Sequence, residues 1–175
     1  KGYVQKNHPE HYNAWLNGLP EETRKLLKEE FFTNEWYGMN IACVIPTESI
    51  GDTFFNGNRL KAAWVSGRYS AEAALKGIYW FYVKTGKPQH IIQRATRIFS
   101  AYYQPSMLVV DNKSRSGIDV VIQEFEQPSA IVEARIGGWM ERALEISGGK
   151  DIRIKTISSL TKGARETRYK ISWQA

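Results

Sequence analysis

Residues 137–173 read GGWMERALEISGGKDIRIKTISSLTKGARETRYKISW, and this stretch decides the predicted fold. Apolar residues at helical spacing come first, and the glycine pair at 148–149 ends that helix. Two segments with alternating apolar and polar residues follow, and a turn containing Gly163 separates them. Such alternation is typical of strands with one buried face. The order therefore predicts a helix followed by a β-hairpin.

A first hairpin is predicted upstream of this helix. Residues 107–110 and 117–125 are apolar or alternating, and the DNKSRSG that connects them is rich in turn-forming residues. Helical patterns precede it at 12–18, after Pro20, and within 59–86, where Gly67 is a weak point that predicts two helices or a kink. The stretch 33–46 suits a strand or a helix ending before Pro46, and we favour the helix.

Three more helices complete the predicted element order. One begins at Pro46 and runs to about residue 57, one follows Pro88, and the helix before the last hairpin spans about 128–147. Helices are thus followed by strand, strand, helix, strand, strand. This order predicts an α+β protein in which helices cover one face of an antiparallel sheet of about four strands.

Length and composition suit one globular domain. A chain of 175 residues with 42% hydrophobic and 24% charged residues can bury a sizeable core. It contains no apolar run of the roughly 18 residues that a membrane span requires. A single cysteine, Cys43, excludes an internal disulfide and any metal site built from several cysteines of one chain. With no signal-peptide pattern after Lys1, a cytoplasmic location is expected.

The net charge of +6 is concentrated near the last hairpin. Residues 150–170 contain seven Lys or Arg and only two acids, Asp151 and Glu166. Strand alternation places the aromatic residues on one side and these cations on the other: Arg153, Lys155, Arg168 and Lys170. Because rings that could stack on bases lie away from the cations, nucleic acid is not an expected partner. A solvated outer face is favoured, and an acidic protein partner or an anionic headgroup is the alternative.

No residue set predicts an enzyme or a metal site. The chain has no catalytic Ser-His-Asp pattern and no phosphate-binding loop, and Cys43 lies in an apolar run where burial suppresses thiolate chemistry. His90 stands alone at the start of the helix after Pro88, which is weak evidence for a metal ligand. His8 and His11 lie near the start of the chain, where a frayed terminus is the favoured interpretation.

The aromatic residues support two hypotheses about function. In the first, a set of apolar residues from helices and sheet encloses a cavity for a small hydrophobic ligand and reports its presence to a partner. That predicted pocket set is Leu75, Tyr79, Trp80, Tyr82, Phe99, Trp139, Tyr169 and Trp173. In the second, these residues fill the core and the chain is a dimerising or adaptor subunit.

The second hypothesis assigns an interface to Gly137, Gly138 and Trp139. A glycine inside a helix costs roughly 1 kcal/mol relative to alanine, so a pair requires compensation. Close approach of another backbone is the expected reason, either from the sheet or from a second copy of the chain.

Several motifs resemble a known superfamily. The segments WMERALEISGGKDIRIKTISS and RYKISW resemble the C-terminal half of the 4-vinyl reductase domain, a small-molecule-binding module. YSAEAALKGIYWFYVKTGKP and the closing Trp are similar to the myxobacterial paralogous domain of unknown function. The resemblance spans residues 36–173 and divides one domain into a helical extension, 1–35, and a core, 36–174. The wider superfamily includes haem-nitric-oxide sensors and TRAPP subunits, so it implies a ligand-binding or assembly module without a reaction.

The departures from these families limit the cofactor prediction. 4-Vinyl reductase domains often carry cysteines near the last hairpin, where this chain has Ser158, Ser159 and Thr167. Haem-nitric-oxide sensors hold iron through a helical His and bind the propionates with Tyr-x-Ser-x-Arg, whereas Tyr69 begins YSAEA. The resemblance therefore implies a regulatory module without a cofactor, with haem bound through a residue such as His90 as a lower alternative.

Overall fold

The computed structural model describes residues 1–32, 34–76, 99 and 102–174. Within them the helices are α1 (Gly2–Asn7), α2 (Tyr12–Asn17), α3 (Glu21–Lys28), α4 (Ile45–Phe54), α5 (Arg59–Lys76) and α6 (Ala130–Ile146). The strands are β1 (Met107–Asp111), β2 (Gly117–Gln123), β3 (Lys150–Ser158) and β4 (Thr167–Gln174). This confirms the predicted α+β class. None of the described helices combines the length and apolarity needed to cross a membrane.

The four strands form one antiparallel sheet in the order β1-β2-β4-β3. Alternation sends Val120 of β2 and its register partner Tyr169 of β4 to the inner face, which α6 covers. We call this apolar layer the sheet core. Its fully buried members are Phe99, Ile118, Val120, Ile122, Val132, Ile136, Met140, Leu144, Tyr169, Ile171 and Trp173. The predicted hairpins and the helix between them are therefore confirmed.

The N-terminal helices form a second apolar cluster, which we call the helical core. Its buried residues are Val4, Trp15, Leu16, Leu19, Leu27, Ile50 and Ala62. Ala62 belongs to α5, whose later residues Ala71 and Leu75 pack on Ala143 of α6. One long helix thus connects the helical core to the layer that covers the sheet.

Glycines bring α5 and α6 into backbone contact. A Cβ on Gly67 would lie 2.0 Å from the carbonyl oxygen of Arg135, and a Cβ on Gly138 would lie 2.0 Å from that of Trp64. A Cβ on Gly137 would lie 2.4 Å from the Trp64 ring. The predicted approach of the sheet or a second copy is therefore wrong, because α5 of the same chain makes this contact. Gly67 is likewise a packing residue within a continuous α5.

Two other local predictions need correction. Residues 40–44 form a π-helical turn, Asn40–Val44, that leads directly into α4, and Pro46 lies in the first turn of that helix. The predicted helix end before Pro46 is wrong, because the π-helical turn passes without a break into α4 and Pro46 is accommodated just after it. The helix predicted after Pro88 lies outside the described residues.

Candidate functional site

The described members of the predicted pocket set are packed against other side chains. Phe99, Tyr169 and Trp173 lie in the sheet core, and Leu75 lies in the contact between α5 and α6. Trp139 is half-buried and packs against both the sheet core and the contact between α5 and α6, so it links the two. The other three members, Tyr79, Trp80 and Tyr82, lie outside the described residues.

Tyr169 is held by a hydrogen bond as well as by packing. Its hydroxyl donates to the backbone carbonyl of Glu133 at 2.8 Å, and burial raises the pKa of the phenol well above its usual value. A neutral phenol with a satisfied donor is what a buried position requires. Tyr169 therefore acts as a structural residue that ties β4 to α6.

A small cleft opens between the start of α6 and the end of the sheet. Its cavity of about 10 Å³ is the size of one water molecule. The lining is mostly apolar and includes Ile122, Phe125, Pro128, Val132, Ile136 and Leu160. Glu133, at its edge, accepts hydrogen bonds from Ser159 at 2.7 Å and from Thr167. This cleft is too small for an organic ligand, and the hydroxyl bonds give Glu133 a role in holding the β3–β4 turn.

A polar cluster around Arg135 has the properties of a ligand site. Arg135 is half-buried on α6, and its guanidinium donates from Nη1 to Thr47 Oγ1 and from Nη2 to Ser70 Oγ, each at 3.1 Å. Thr47 belongs to α4 and Ser70 to α5, so three helices converge on one cation. Cys43 and Tyr103 pack against the sheet core, and the charge of Arg135 acts to lower the pKa of Tyr103.

The Arg135 guanidinium has no carboxylate partner. None of the described carboxylates lies within ion-pair distance of it, in contrast to Arg68, Arg142 and Arg168. The remaining residues, 33, 77–98, 100–101 and 175, include no Asp or Glu side chain. A half-buried cation without a counter-ion is costly and is uncommon as a purely structural element.

Tyr103 is a neutral phenol that feels the charge of Arg135. Burial raises its pKa, Cys43 raises it further, and Arg135 acts in the opposite direction. The phenol therefore keeps its proton at neutral pH and does not neutralise Arg135. Arg135 with the hydroxyls of Thr47 and Ser70 presents donors and positive charge, which is a set suited to an anionic group.

Sequence reasoning missed Arg135, although a local signal exists. The positions three and four residues away along the helix hold Ile131, Val132, Gly138 and Trp139. Acidic residues at these spacings would normally pair with a helical arginine. A lone arginine among apolar helical neighbours is therefore the pattern that marks this residue.

Three of the four residues of the predicted basic surface are exposed in the structure. Arg153, Lys155 and Lys170 are exposed on β3 and β4. Arg168 differs, because its guanidinium is paired with Asp119 at 3.1 Å and Glu166 at 2.8 Å. These acids come from β2 and from the residue just before β4, and their proximity to Arg168 depends on strand pairing.

The two described histidines have contacts of their own near the start of the chain. His8 stacks on Phe54 with ring centroids 4.1 Å apart, and His11 is exposed beside Glu10. Among the residues described, no group of three His, Cys, Asp or Glu could hold a metal ion. His90, the predicted weak ligand, lies outside them.

No protein-family profile matches the chain, and no curated protein sequence matches it. Solved structures do. The H-NOX protein from S. oneidensis in the Fe(II)NO ligation state has a TM-score of 0.72 and 12% identity over 99% of this chain and 94% of that chain. The unliganded Fe(II) H-NOX protein from K. algicida has a TM-score of 0.69 and 11% identity, covering 99% and 92%.

A mutant H-NOX protein from T. tengcongensis gives a TM-score of 0.66 at 9% identity, covering 93% of this chain and 95% of that chain. At such identities the likeness concerns the fold. This fold is the one expected from the resemblance to haem-nitric-oxide sensors, and it does not single out the 4-vinyl reductase domain. Over nearly its whole length, this chain has the fold of the H-NOX proteins.

Proposed function

We propose that this chain is a non-enzymatic sensor module that binds a small ligand with an apolar body and an anionic group. Arg135 holds the anionic group. The observation that carries the proposal is the half-buried guanidinium that has two hydroxyl partners and no carboxylate. The likeness to H-NOX proteins supports a ligand-binding role for the fold.

The bonding capacity of Arg135 favours a carboxylate-like group. A guanidinium has five N–H donors, and the hydroxyls of Thr47 and Ser70 accept two of them. The donors that are left match the two oxygens of a carboxylate or a sulfonate. A bound anion supplies the missing negative charge and removes the cost of the unpaired cation.

The half-buried Trp139 of the predicted pocket set is proposed to contact the apolar body of the ligand. Trp139 lies one helical turn after Arg135, so one face of α6 presents a cation and a ring together. The rings of Tyr79, Trp80 and Tyr82 are assigned to the same role from the sequence pattern. This arrangement suits an amphipathic ligand better than a purely hydrophobic one.

Arg135→Met tests the proposal, with Arg68→Met as the matched control. The probe is anilinonaphthalene sulfonate, which has an aromatic body and one anionic group, and its binding is followed by fluorescence titration. We expect saturable binding by the wild type, a loss of roughly tenfold or more in affinity for Arg135→Met, and wild-type affinity for Arg68→Met. Circular dichroism checks that each variant is folded. Equal affinity of wild type and Arg135→Met contradicts the proposal.

A haem-based gas sensor is the second candidate function, and the likeness to H-NOX proteins favours it. We assign the axial ligand to His90 from the sequence, because His8 is stacked on Phe54 and His11 is exposed beside Glu10. Addition of haem to the purified chain, followed by a visible spectrum of wild type and His90→Ala, tests this candidate. A Soret band that shifts in the variant supports it, and a spectrum of free haem in both excludes it.

A further inference from the structure

The outer face of the sheet, which is turned away from α6, carries an ordered row of charges. Strand register places Asp111 opposite Asp119, Asp119 opposite Lys170, and Lys170 opposite Lys155. The row crosses all four strands from β1 to β3. Its charges therefore read negative, negative, positive, positive from one edge of the sheet to the other.

The two ends of this row are open to solvent. The Asp111 side chain pairs with Arg168 at 3.4 Å and is still 55% exposed, and Lys155 is exposed at the opposite edge. Neither Lys155 nor Lys170 has a carboxylate within ion-pair distance among the described residues, and the rest of the chain adds no Asp or Glu side chain. Asp119 is buried, holds Arg168 and Asn112, and contributes to the row as a fixed negative charge.

Exposed apolar side chains lie near both ends of the row. Val109, two residues before Asp111 on β1, is 39% exposed. Ile157 is 52% exposed and lies at an irregularity of β3, between Thr156 and Ser158. Each edge of the sheet thus has one exposed apolar residue near one kind of charge. The two edges differ in the sign of that charge.

We propose that this outer face binds the same face of a second copy through a two-fold axis parallel to the strands. Such an axis, placed between β2 and β4, brings β1 of one copy over β3 of the other. Asp111 then meets the second copy's Lys155, Val109 lies near its Ile157, and each contact occurs twice. A row that changes sign at its midpoint is complementary to itself only under this rotation.

The size of the face makes the association weak. Four strands about 4.8 Å apart and roughly five residues long cover about 19 by 17 Å. This is less than half of the roughly 800 Å² per partner that stable interfaces bury. The dimer is therefore concentration-dependent, and its exposed charge pairs make it sensitive to salt.

Charge exchange between the two edges provides the test. Sedimentation velocity is measured on the full chain over a concentration series, at low and high salt, for wild type, Asp111→Lys and Lys155→Glu. Each variant alone places like charges together twice, so we expect its dimer to be roughly tenfold weaker. An equimolar mixture of the two variants restores opposite charges at both contacts, and dimerisation returns to the wild-type level.

Lys61→Glu, on the exposed side of α5, is the matched control for the change in net charge and associates as the wild type does. Circular dichroism confirms the fold of each variant. Recovery in the mixture supports the proposal, because a structural defect in either variant cannot be repaired by the other. A wild type that stays monomeric at all concentrations, or a mixture that stays as weak as its components, overturns it.

Discussion

At the scale of single residues, two buried threonines differ in what their hydroxyls contact. Thr47 Oγ1 accepts a hydrogen bond from Arg135 at 3.1 Å. Thr23 of α3 is 0% exposed, and its hydroxyl has no hydrogen-bond partner among the described residues. An unpaired buried hydroxyl lowers stability, whereas a paired one supports its partner.

We therefore expect Thr23→Val to raise the free energy of unfolding by about 1 kcal/mol, because valine has the same shape without the unpaired hydroxyl. Thr47→Val is expected to lower it by about 1 kcal/mol, because an N–H of Arg135 loses its acceptor. Urea unfolding at neutral pH measures both. Equal effects of the two substitutions contradict this interpretation.

At the scale of elements, an ion network joins α5 to α6. Arg68 donates to both carboxylate oxygens of Glu145, at 2.8 and 2.9 Å, and also to Glu141. Arg142 donates to Glu145 at 2.9 Å. The network lies beside the glycine contacts, so it adds ion pairs to the same packing of α5 on α6.

The network makes stability depend on pH. The hydrogen bond from Arg68 holds the pKa of Glu145 below its usual value of 4.5, although desolvation acts in the opposite direction. A carboxyl with a lower pKa in the folded state stabilises the fold above pH 4.5 and loses this contribution as the pH falls through the folded-state value. The melting temperature should therefore decrease as the pH is lowered below 4.5.

Arg68→Met isolates this contribution. The variant is expected to be less stable at pH 7, because Glu141 and Glu145 lose their shared cation, and to lose less stability than the wild type on acidification. Calorimetry between pH 7 and pH 3 compares the two. Parallel pH curves would show that another carboxyl causes the acid sensitivity.

At the scale of the whole molecule, α5 connects two apolar cores. Its Ala62 belongs to the helical core, and its Ala71 and Leu75 pack on α6, which covers the sheet. Shared use of one rigid helix is expected to make the two cores unfold together.

Leu27→Ala tests this coupling. Leu27 is buried in the helical core and is far in the sequence from the sheet. Its truncation is expected to cost about 2–4 kcal/mol and to accelerate amide exchange in β4 by the same free energy. Hydrogen exchange with mass spectrometry gives the rates for both regions. Unchanged exchange in β4 would show that the cores open independently.

The elements of the C-terminal half could be predicted because their signals are local. Alternation in residues 107–125 and 151–173, and helical spacing in the helix between them, each arise within a few turns or strand residues. The α+β class follows from their order. A resemblance carried by apolar spacing and glycines led to the correct fold, since such spacing encodes packing.

The site residues were harder to predict because their partners are distant in sequence. Arg168 reads as an exposed cation until strand pairing brings Asp119, 49 positions away, against it. Gly137 and Gly138 were predicted to form an interface, and the folded chain shows that α5 packs on them. The hydrogen-bond partners of Arg135 are two hydroxyls on other helices, 65 and 88 positions away in the sequence.

From the residues alone follow the secondary structure of the C-terminal half, the α+β class and the positive charge of the last hairpin, because hydrophobic period and residue type act over short distances. The folded chain was needed to show which charges are neutralised, which glycines face α5 and which hydroxyls contact Arg135. Those properties depend on contacts between segments that are remote in sequence, and local spacing does not specify which remote segments meet.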